Sequence, residues 1–436
     1  MILALRAGAA SQGLRNEKTC TTIPKPRTIF KCYYYSVIQK SITKISFVGA
    51  GNIFNAILGF VFLSAVAKTL PVDQFGKYAL LTSLLVSISK IIDFGTNSVF
   101  VARSITKAEN IKNVFISLKL VLFLATIPIS LIALASLNIF TIATFFIFLA
   151  GLIFYGINIT LFAFFQKEER FKLAVLLNTL PASIKGCVAI LIFLDIFRPD
   201  ATTAFTVFSV AMSASALLSV FAYSEIKNFK FVLKGVSEFL YHSVFAGVSQ
   251  IVANGWPAIS NSIAKISKSF MDVGIFSLAD KMANVFSLIS ISIFTVLLPR
   301  NAARKKDKLG YDIKETVLLS VGIFGMSLVA MFAAGFLVTF LFKEKYAESI
   351  PLLNILIAAS SLTAVHTFME NYFYVEEKTK QLFFITLGKL VSFLLLSFIL
   401  IPVLALKGLA LAQLLAAVVG LVLTLWFVAN KPAVAQ

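Results

Sequence analysis

From residue 45 onward the chain alternates long apolar runs with short polar joints. The runs fall at about 45–67, 76–101, 113–136, 139–165, 172–195, 202–224, 239–264, 273–299, 316–341, 350–374, 381–402 and 407–429. Each is long enough to cross about 30 Å of hydrocarbon as a helix rising about 1.5 Å per residue. In lipid the backbone is satisfied only within helices or closed barrels, and runs of this length exclude barrel strands. The pattern predicts an all-α, polytopic membrane protein with twelve transmembrane helices.

The first joint, Ala67-Lys68-Thr69-Leu70-Pro71-Val72-Asp73-Gln74-Phe75-Gly76-Lys77-Tyr78, has a weaker copy at Ala264–Phe276. There Ala264-Lys265 again leads to an acid (Asp272), a glycine (Gly274) and an aromatic two places on (Phe276). A second echo pairs Phe164-Phe165-Gln166-Lys167-Glu168-Glu169-Arg170-Phe171-Lys172 with Tyr372-Phe373-Tyr374-Val375-Glu376-Glu377-Lys378-Thr379-Lys380. Both echoes are six helices apart and in the same order. The expected plan is therefore two six-helix halves, 45–224 and 239–429, joined by a linker at 225–238. A basic tail (1–44) precedes them and a short tail (430–436) follows. Halves of six spans enter the membrane in the same direction, so they are related by an axis along its normal, around a central cavity.

Composition agrees: 59% of the 436 residues are hydrophobic, 14% are charged, and mean hydropathy is +0.92. The net charge of +19 invites a nucleic-acid reading, but most Lys and Arg sit between apolar runs, as topology signals do, so no nucleic acid is expected as partner. Alternate joints are strongly basic, including Arg103/Lys107/Lys112, Lys167/Arg170/Lys172 and the run Arg300–Lys308, whereas the opposite set is sparse in lysine and arginine. That asymmetry places both termini in the cytoplasm. Cys20, Cys32 and Cys187 lack metal-ligand spacing. There is no phosphate-binding loop, metal cluster or large extramembrane domain, so neither an enzyme nor a cofactor is expected.

Ionisable and amide side chains at bilayer depth are costly and mark candidate sites. Lys90, Asp93 and Asn97 share a stripe of the second helix, either as an ion pair ordering its end or as a cavity wall. Gln250, Asn254 and Asn261 share a face of the seventh, beside Trp256-Pro257. Asp280, Lys281 and Asn284 lie on the eighth, where Asp280 and Asn284 align. Asn178, Pro181 and Lys185 lie on the fifth. His366 and Glu370 are one turn apart on the tenth and can share a proton or serve only as a helix–helix bond. Lys119 and Lys389, nearer span ends, are read as snorkelling lysines or substrate contacts. The candidate substrate-binding set is Lys185, Lys281, Asn254, Asn261, Asn284 and Lys90. The candidate ion-coupling set is Asp280, His366 and Glu370. Together they suggest a cationic cavity for an anionic, hydroxyl-rich substrate.

Leu70-x-x-x-x-Phe75-Gly76-x-Tyr78, then Asp93-Phe94-Gly95 and Leu298-Pro299-Arg300, make residues 40–430 resemble the polysaccharide biosynthesis (Wzx-type O-antigen flippase) family of the multidrug/oligosaccharidyl-lipid/polysaccharide exporter superfamily. The resemblance implies translocation of an undecaprenyl-diphosphate-linked glycan across the bacterial inner membrane, with membrane lipid and a polysaccharide polymerase and ligase as partners. It also implies that cavity cations meet the diphosphate; Lys185 and Lys281 are the positions suited to that. The competing readings are a multidrug exporter of the same superfamily, which would want interior acids, a lipid II flippase, which usually has fourteen spans, and a membrane-embedded glycosyltransferase or polymerase, which would want a large outer loop.

Overall fold

A computed structural model describes residues 50–51, 53–106, 111–168, 170–223, 229–267, 269–284, 313–375 and 378–429. The basic tail, Leu298-Pro299-Arg300 and the run Arg300–Lys308 lie outside the described residues. The helices are α1 (Ile53–Thr69), α2 (Val72–Asp93), α3 (Thr96–Thr106), α4 (Lys112–Ser136), α5 (Ile142–Lys167), α6 (Phe171–Phe193), α7 (Ala201–Ala222), α8 (Val236–Ser267), α9 (Phe270–Ala283), α10 (Ile313–Phe342), α11 (Ser349–Val375) and α12 (Thr379–Ala429). No strand occurs among the described residues. Eight stretches among them are long and apolar enough to cross a membrane. The last of these, Lys380–Ala429, breaks at Ala405, whose φ of 51° lies in the left-handed region. Rings such as Phe332 (89% exposed) and Phe398 (84%) face outward, as a chain with lipid for solvent requires.

The joint at 67–78 exposes Lys68, Thr69, Pro71 and Asp73 but buries Ala67, Leu70, Phe75, Gly76 and Tyr78. Pro71 cannot continue α1, and α2 starts directly after it. The last carbonyls of α1 would be orphaned there. Lys345 supplies the donors: its ammonium reaches the carbonyls of Ala67 (2.8 Å), Lys68 (3.1 Å) and Leu70, and Tyr346 Oη donates to Ala67 O at 3.2 Å. Tyr346 is fully buried, edge-on to Phe75 and Phe342. The turn between α10 and α11 thus clamps the first hinge.

Helix α2 is central, packing on α4, α5, α7, α8 and α9. Where it crosses α9 the two copies of the joint meet. A Cβ on Gly76 would strike the carbonyl of Phe270 and come within 2.9 Å of Gly274 N, and one on Gly274 would strike Val72 O. Glycine is needed at both positions because backbone touches backbone. The acid of the second copy has its own duty: Asp272 accepts from Ser269 N (3.2 Å) while Ser269 Oγ accepts from Asp272 N (3.3 Å), a capping box that starts α9. Gly76→Val is expected to force α2 from α9 and cost about 3 kcal/mol or more, at the upper end for overpacking. A drop in the thermal midpoint of the detergent-solubilised protein would register it.

The sequence predicts one unbroken second helix, 76–101, and the structure differs. Phe94 (φ 43°) and Gly95 (φ 67°) both adopt left-handed backbone and separate α2 from α3. Thr96 Oγ1 donates to Asp93 O (2.5 Å) across the break. Gly247 of α8 admits the Phe94 ring, since a Cβ there would lie 2.6 Å from Phe94 O. The Asp93-Phe94-Gly95 motif is therefore a built helix break. Beyond it a second aromatic core closes the far end of the bundle, with Phe100 stacked on Phe115 at 4.2 Å and Phe164 edge-on to both.

Candidate functional site

Between α2, α3, α5, α6 and α7, in the half of the bundle remote from the Gly76–Gly274 crossing, lies a cavity of about 390 Å³. Its polar wall is Lys90, Asp93, Asn97, Asn158, Gln166 and Asn178, and Tyr155 and Phe162 add ring faces. The α2 stripe of Lys90, Asp93 and Asn97 thus lines one wall, and the α6 face of Asn178 and Pro181 lines another. Asn158, absent from the candidate set, joins α5 to α7: its amide donates to Met212 O (3.1 Å), and Ser215 Oγ donates to its carbonyl oxygen (2.8 Å). A lone amide within the apolar run 139–165 was the available signal.

The expected Lys90–Asp93 pair does not form. Asp93 instead pairs with Lys119 of α4, whose Nζ lies 3.3 Å from Oδ1 and also donates to the carbonyls of Ile92 (3.1 Å) and Asp93 (3.3 Å). Lys119 is 4% exposed and does not snorkel; it caps the broken end of α2 with a cation where the helix dipole is negative. Lys90 is left in the cavity wall with no ion pair or hydrogen bond among the described residues.

Lys185 of α6, one turn beyond Pro181, is not among the residues that line this cavity; its ammonium lies 4.6 Å from the centre of the Phe208 ring, which stacks on Tyr155. Among the described residues no carboxylate reaches it. The charge that acts on it is that of Lys281, from α9. The two lysines singled out from sequence are thus within electrostatic reach of each other, although they belong to helices some hundred residues apart in the chain. Asp280, next to Lys281, is 4% exposed and already engaged: it accepts from Asn284 Nδ2 (3.1 Å) and from Gln413 Nε2 (3.3 Å). Lys281 feels its charge but forms no ion pair with it among the described residues.

The α8 candidates divide. Asn261 is 2% exposed and fully used, donating to Ser83 Oγ (3.2 Å) and accepting from Ser277 Oγ (2.7 Å). It rivets α2, α8 and α9, and its burial keeps it from presenting the amide to a substrate. Asn254 is exposed and donates to Gln250 O (2.8 Å), one turn back on its own helix. In α11, His366 Nδ1 lies 3.0 Å from Glu370 Oε1. Lys389 of α12 donates to Thr363 Oγ1 (3.4 Å), lies over the Trp256 ring (5.1 Å) and is in electrostatic reach of Glu370, so it too is held inside.

No group of His, Cys, Asp and Glu suited to a metal occurs among the described residues. The chemistry available is ammonium groups, amides and rings around a cavity. Groups of these kinds are able to hydrogen-bond anions and hydroxyl groups.

The bundle is similar to a multidrug resistance MATE family transporter of the MOP superfamily in its inward-facing conformation: TM-score 0.69 and 14% identity, over 88% of this chain and 96% of that one. It is also similar to lipid II flippase MurJ in an inward closed conformation (TM-score 0.70, 16% identity, 88% of each chain). An outward-facing MATE transporter of the same superfamily scores 0.57 at 14% identity, over 88% and 95%. At these identities the likeness speaks for the fold. No curated protein matches the chain. Residues 41–304 match the polysaccharide biosynthesis protein family. That match runs over more than half of the chain, and the protein belongs to the polysaccharide biosynthesis protein family.

Proposed function

We propose that the protein is a flippase that carries an undecaprenyl-diphosphate-linked oligosaccharide from the cytoplasmic to the periplasmic leaflet of a bacterial inner membrane by alternating access. The observation that carries this reading is Lys185, held in the interior over the Phe208 ring, within electrostatic reach of Lys281 and with no carboxylate to neutralise it among the described residues. Two ammonium groups within reach of each other in a low-dielectric interior repel, and an anion of matching charge relieves them. A diphosphate carries two such charges, and its oxygens accept charge-assisted hydrogen bonds from lysine. The amide and aromatic wall formed by Asn97, Asn158, Asn178 and Tyr155 suits sugar hydroxyls and faces. The polyprenyl tail stays in lipid. Outward movement of an anion gains about 2.3 kcal/mol per charge per 100 mV when the interior is negative.

Twelve spans in two halves, 45–224 and 239–429, accord with this role. The break at Ala405 divides α12 in two, and the crossing of Gly76 with Gly274 brings equivalent points of the two joints face to face, as a two-fold axis between halves would. With both termini cytoplasmic, that crossing and the Lys345 clamp close the periplasmic side while the cavity faces the cytoplasm. The higher score against the inward-facing relative supports the same state. A polysaccharide polymerase and ligase would act on the product.

A drug exporter of the same fold is the second reading, and the interior acids argue against it. Asp93 is taken by Lys119, Asp280 by two amides and Glu370 by His366, leaving no spare carboxylate among them for an organic cation. Deletion of the gene tests the choice. Complete polyprenyl-linked repeat units are expected to accumulate in the inner membrane while surface polysaccharide is lost; normal levels of both would remove the flippase reading.

A further inference from the structure

The expected linker between the halves is described from Phe229 on, and it runs as a non-helical strap to Leu233 before α8 begins. It lies at the end of the bundle closed by Phe100, Phe115, Phe164 and Phe239. The backbone N–H groups of Lys230 and Val232 donate to Asn113 Oδ1 (3.4 Å) and Ser117 Oγ (2.9 Å), which stand one turn apart on α4. Alternate N–H groups bound to one neighbour are the mark of extended backbone. Gly235, at φ 89°, then turns the chain, and Val236 N donates to Leu233 O (3.1 Å) where α8 starts. Strapped in this way, Phe231 (56%) and Leu233 (61%) stand exposed, and so do Lys230 and Lys234 on either side of them.

The depth of the strap follows from α4. That helix starts at Lys112, and its outward-facing Leu120 and Leu124 begin about 5 Å beyond Ser117 along the axis, at about 1.5 Å per residue. The strap therefore crosses α4 where its lipid-facing surface ends, at the boundary of acyl chains and headgroups. Aromatic and aliphatic side chains flanked by lysine are favoured at that depth. Lys230 and Lys234 form no ion pair among the described residues. The first acid of α8, Glu238, is engaged by Arg103 (3.4 Å) and lies 3.9 Å from His242. Lys167, over the Phe100 ring at 5.8 Å, adds a further cation at the same end.

We propose that Lys230, Phe231, Leu233 and Lys234 form a docking surface for anionic phospholipid in the leaflet that this end of the bundle meets. Phe231 and Leu233 enter the acyl boundary, and the two ammonium groups meet headgroup phosphates. A zwitterionic lipid offers the same apolar boundary without net charge, so the strap selects by charge, by up to about fivefold for each lysine. A protein partner would call for a broad apolar patch; here two apolar side chains alternate with lysines and continue the lipid-facing surface of α4. Because α4 holds the strap from the other side, bound lipid fixes the start of α8 and the end of α4 at one depth. With both termini cytoplasmic, that leaflet is the cytoplasmic one.

Tryptophan quenching by brominated lipid tests the surface, whatever the protein carries. The full chain with Trp426→Phe and Phe231→Trp is placed in vesicles of phosphatidylcholine and phosphatidylglycerol in equal parts, with Trp426→Phe alone as the blank. Brominated phosphatidylglycerol is expected to quench the added tryptophan more than brominated phosphatidylcholine does, by up to about fivefold in relative association for each lysine. Adding Lys230→Gln and Lys234→Gln, both at exposed positions, is expected to bring the two lipids level while quenching persists. Leu233→Trp gives the same reading should Phe231→Trp not fold. Equal quenching by the two lipids in the protein that keeps both lysines overturns the proposal. Absence of quenching by either lipid also overturns it, placing the strap in water or under a protein. A preference that survives the double glutamine change assigns it to other cations and overturns the role of Lys230 and Lys234. None of these outcomes touches the flippase reading.

Discussion

Lys185→Ala together with Lys281→Ala is expected to reduce translocation of the lipid-linked saccharide about a hundredfold. Each charge-assisted contact to an anion is worth about 1.5–3 kcal/mol, and every 1.4 kcal/mol is about a factor of ten. Lys185→Ala alone is expected to raise, not lower, the thermal midpoint of the protein. Among the described residues Lys185 has only a phenylalanine ring and a like charge for company, so its removal takes a repelled ammonium out of the interior. Transport lost while stability is gained is the signature of a group kept for its ligand. A fall in both would make the lysines structural. Lys185→Arg, which keeps the charge, is expected to retain most of the transport. Flipping rates and melting curves on one set of purified variants decide the case.

Asp93→Ala is expected to act in the opposite sense on stability. It strands Lys119, 4% exposed, with backbone carbonyls and the Phe115 ring as its partners among the described residues. Breaking a buried ion pair from one side costs about 3–5 kcal/mol. The double variant Asp93→Ala with Lys119→Met removes both charges and is expected to recover most of that loss, because an apolar pair of similar volume needs no partner. A thermal double-mutant cycle measures the coupling. If Asp93→Ala were as stable as the parent yet inactive, Asp93 would belong to the substrate and the break at Phe94 would be held by other contacts.

The helical plan was legible because bilayer thickness sets a length that a sequence displays directly. The helix ends at Thr69, Ser136, Phe193 and Ala222 all fall within a few residues of the expected ones. What the pattern could not show was which polar residues would be spent on one another. Asp93 stands three residues from Lys90 on the same stripe, so local spacing suggested that pair, but its partner came from α4. Asn261 shared a face with Asn254, yet Ser83 and Ser277 claimed both ends of its amide. Gln413 and Thr363, solitary polar residues in apolar runs, turned out to hold Asp280 and Lys389. Contacts between helices far apart in sequence leave no periodic trace. The first joint was visible as an organising stretch from its repeat, whereas the reason for its glycine, backbone contact with the second copy, needed the fold.

The most direct measurement is transport by the purified full chain in liposomes, with a fluorescently marked undecaprenyl-diphosphate oligosaccharide and an organic cation presented in parallel. The account predicts that the diphosphate-linked glycan crosses the bilayer, that the cation does not, and that loss of Lys185 and Lys281 stops the glycan. Transport of the cation with the glycan left in its original leaflet would contradict it.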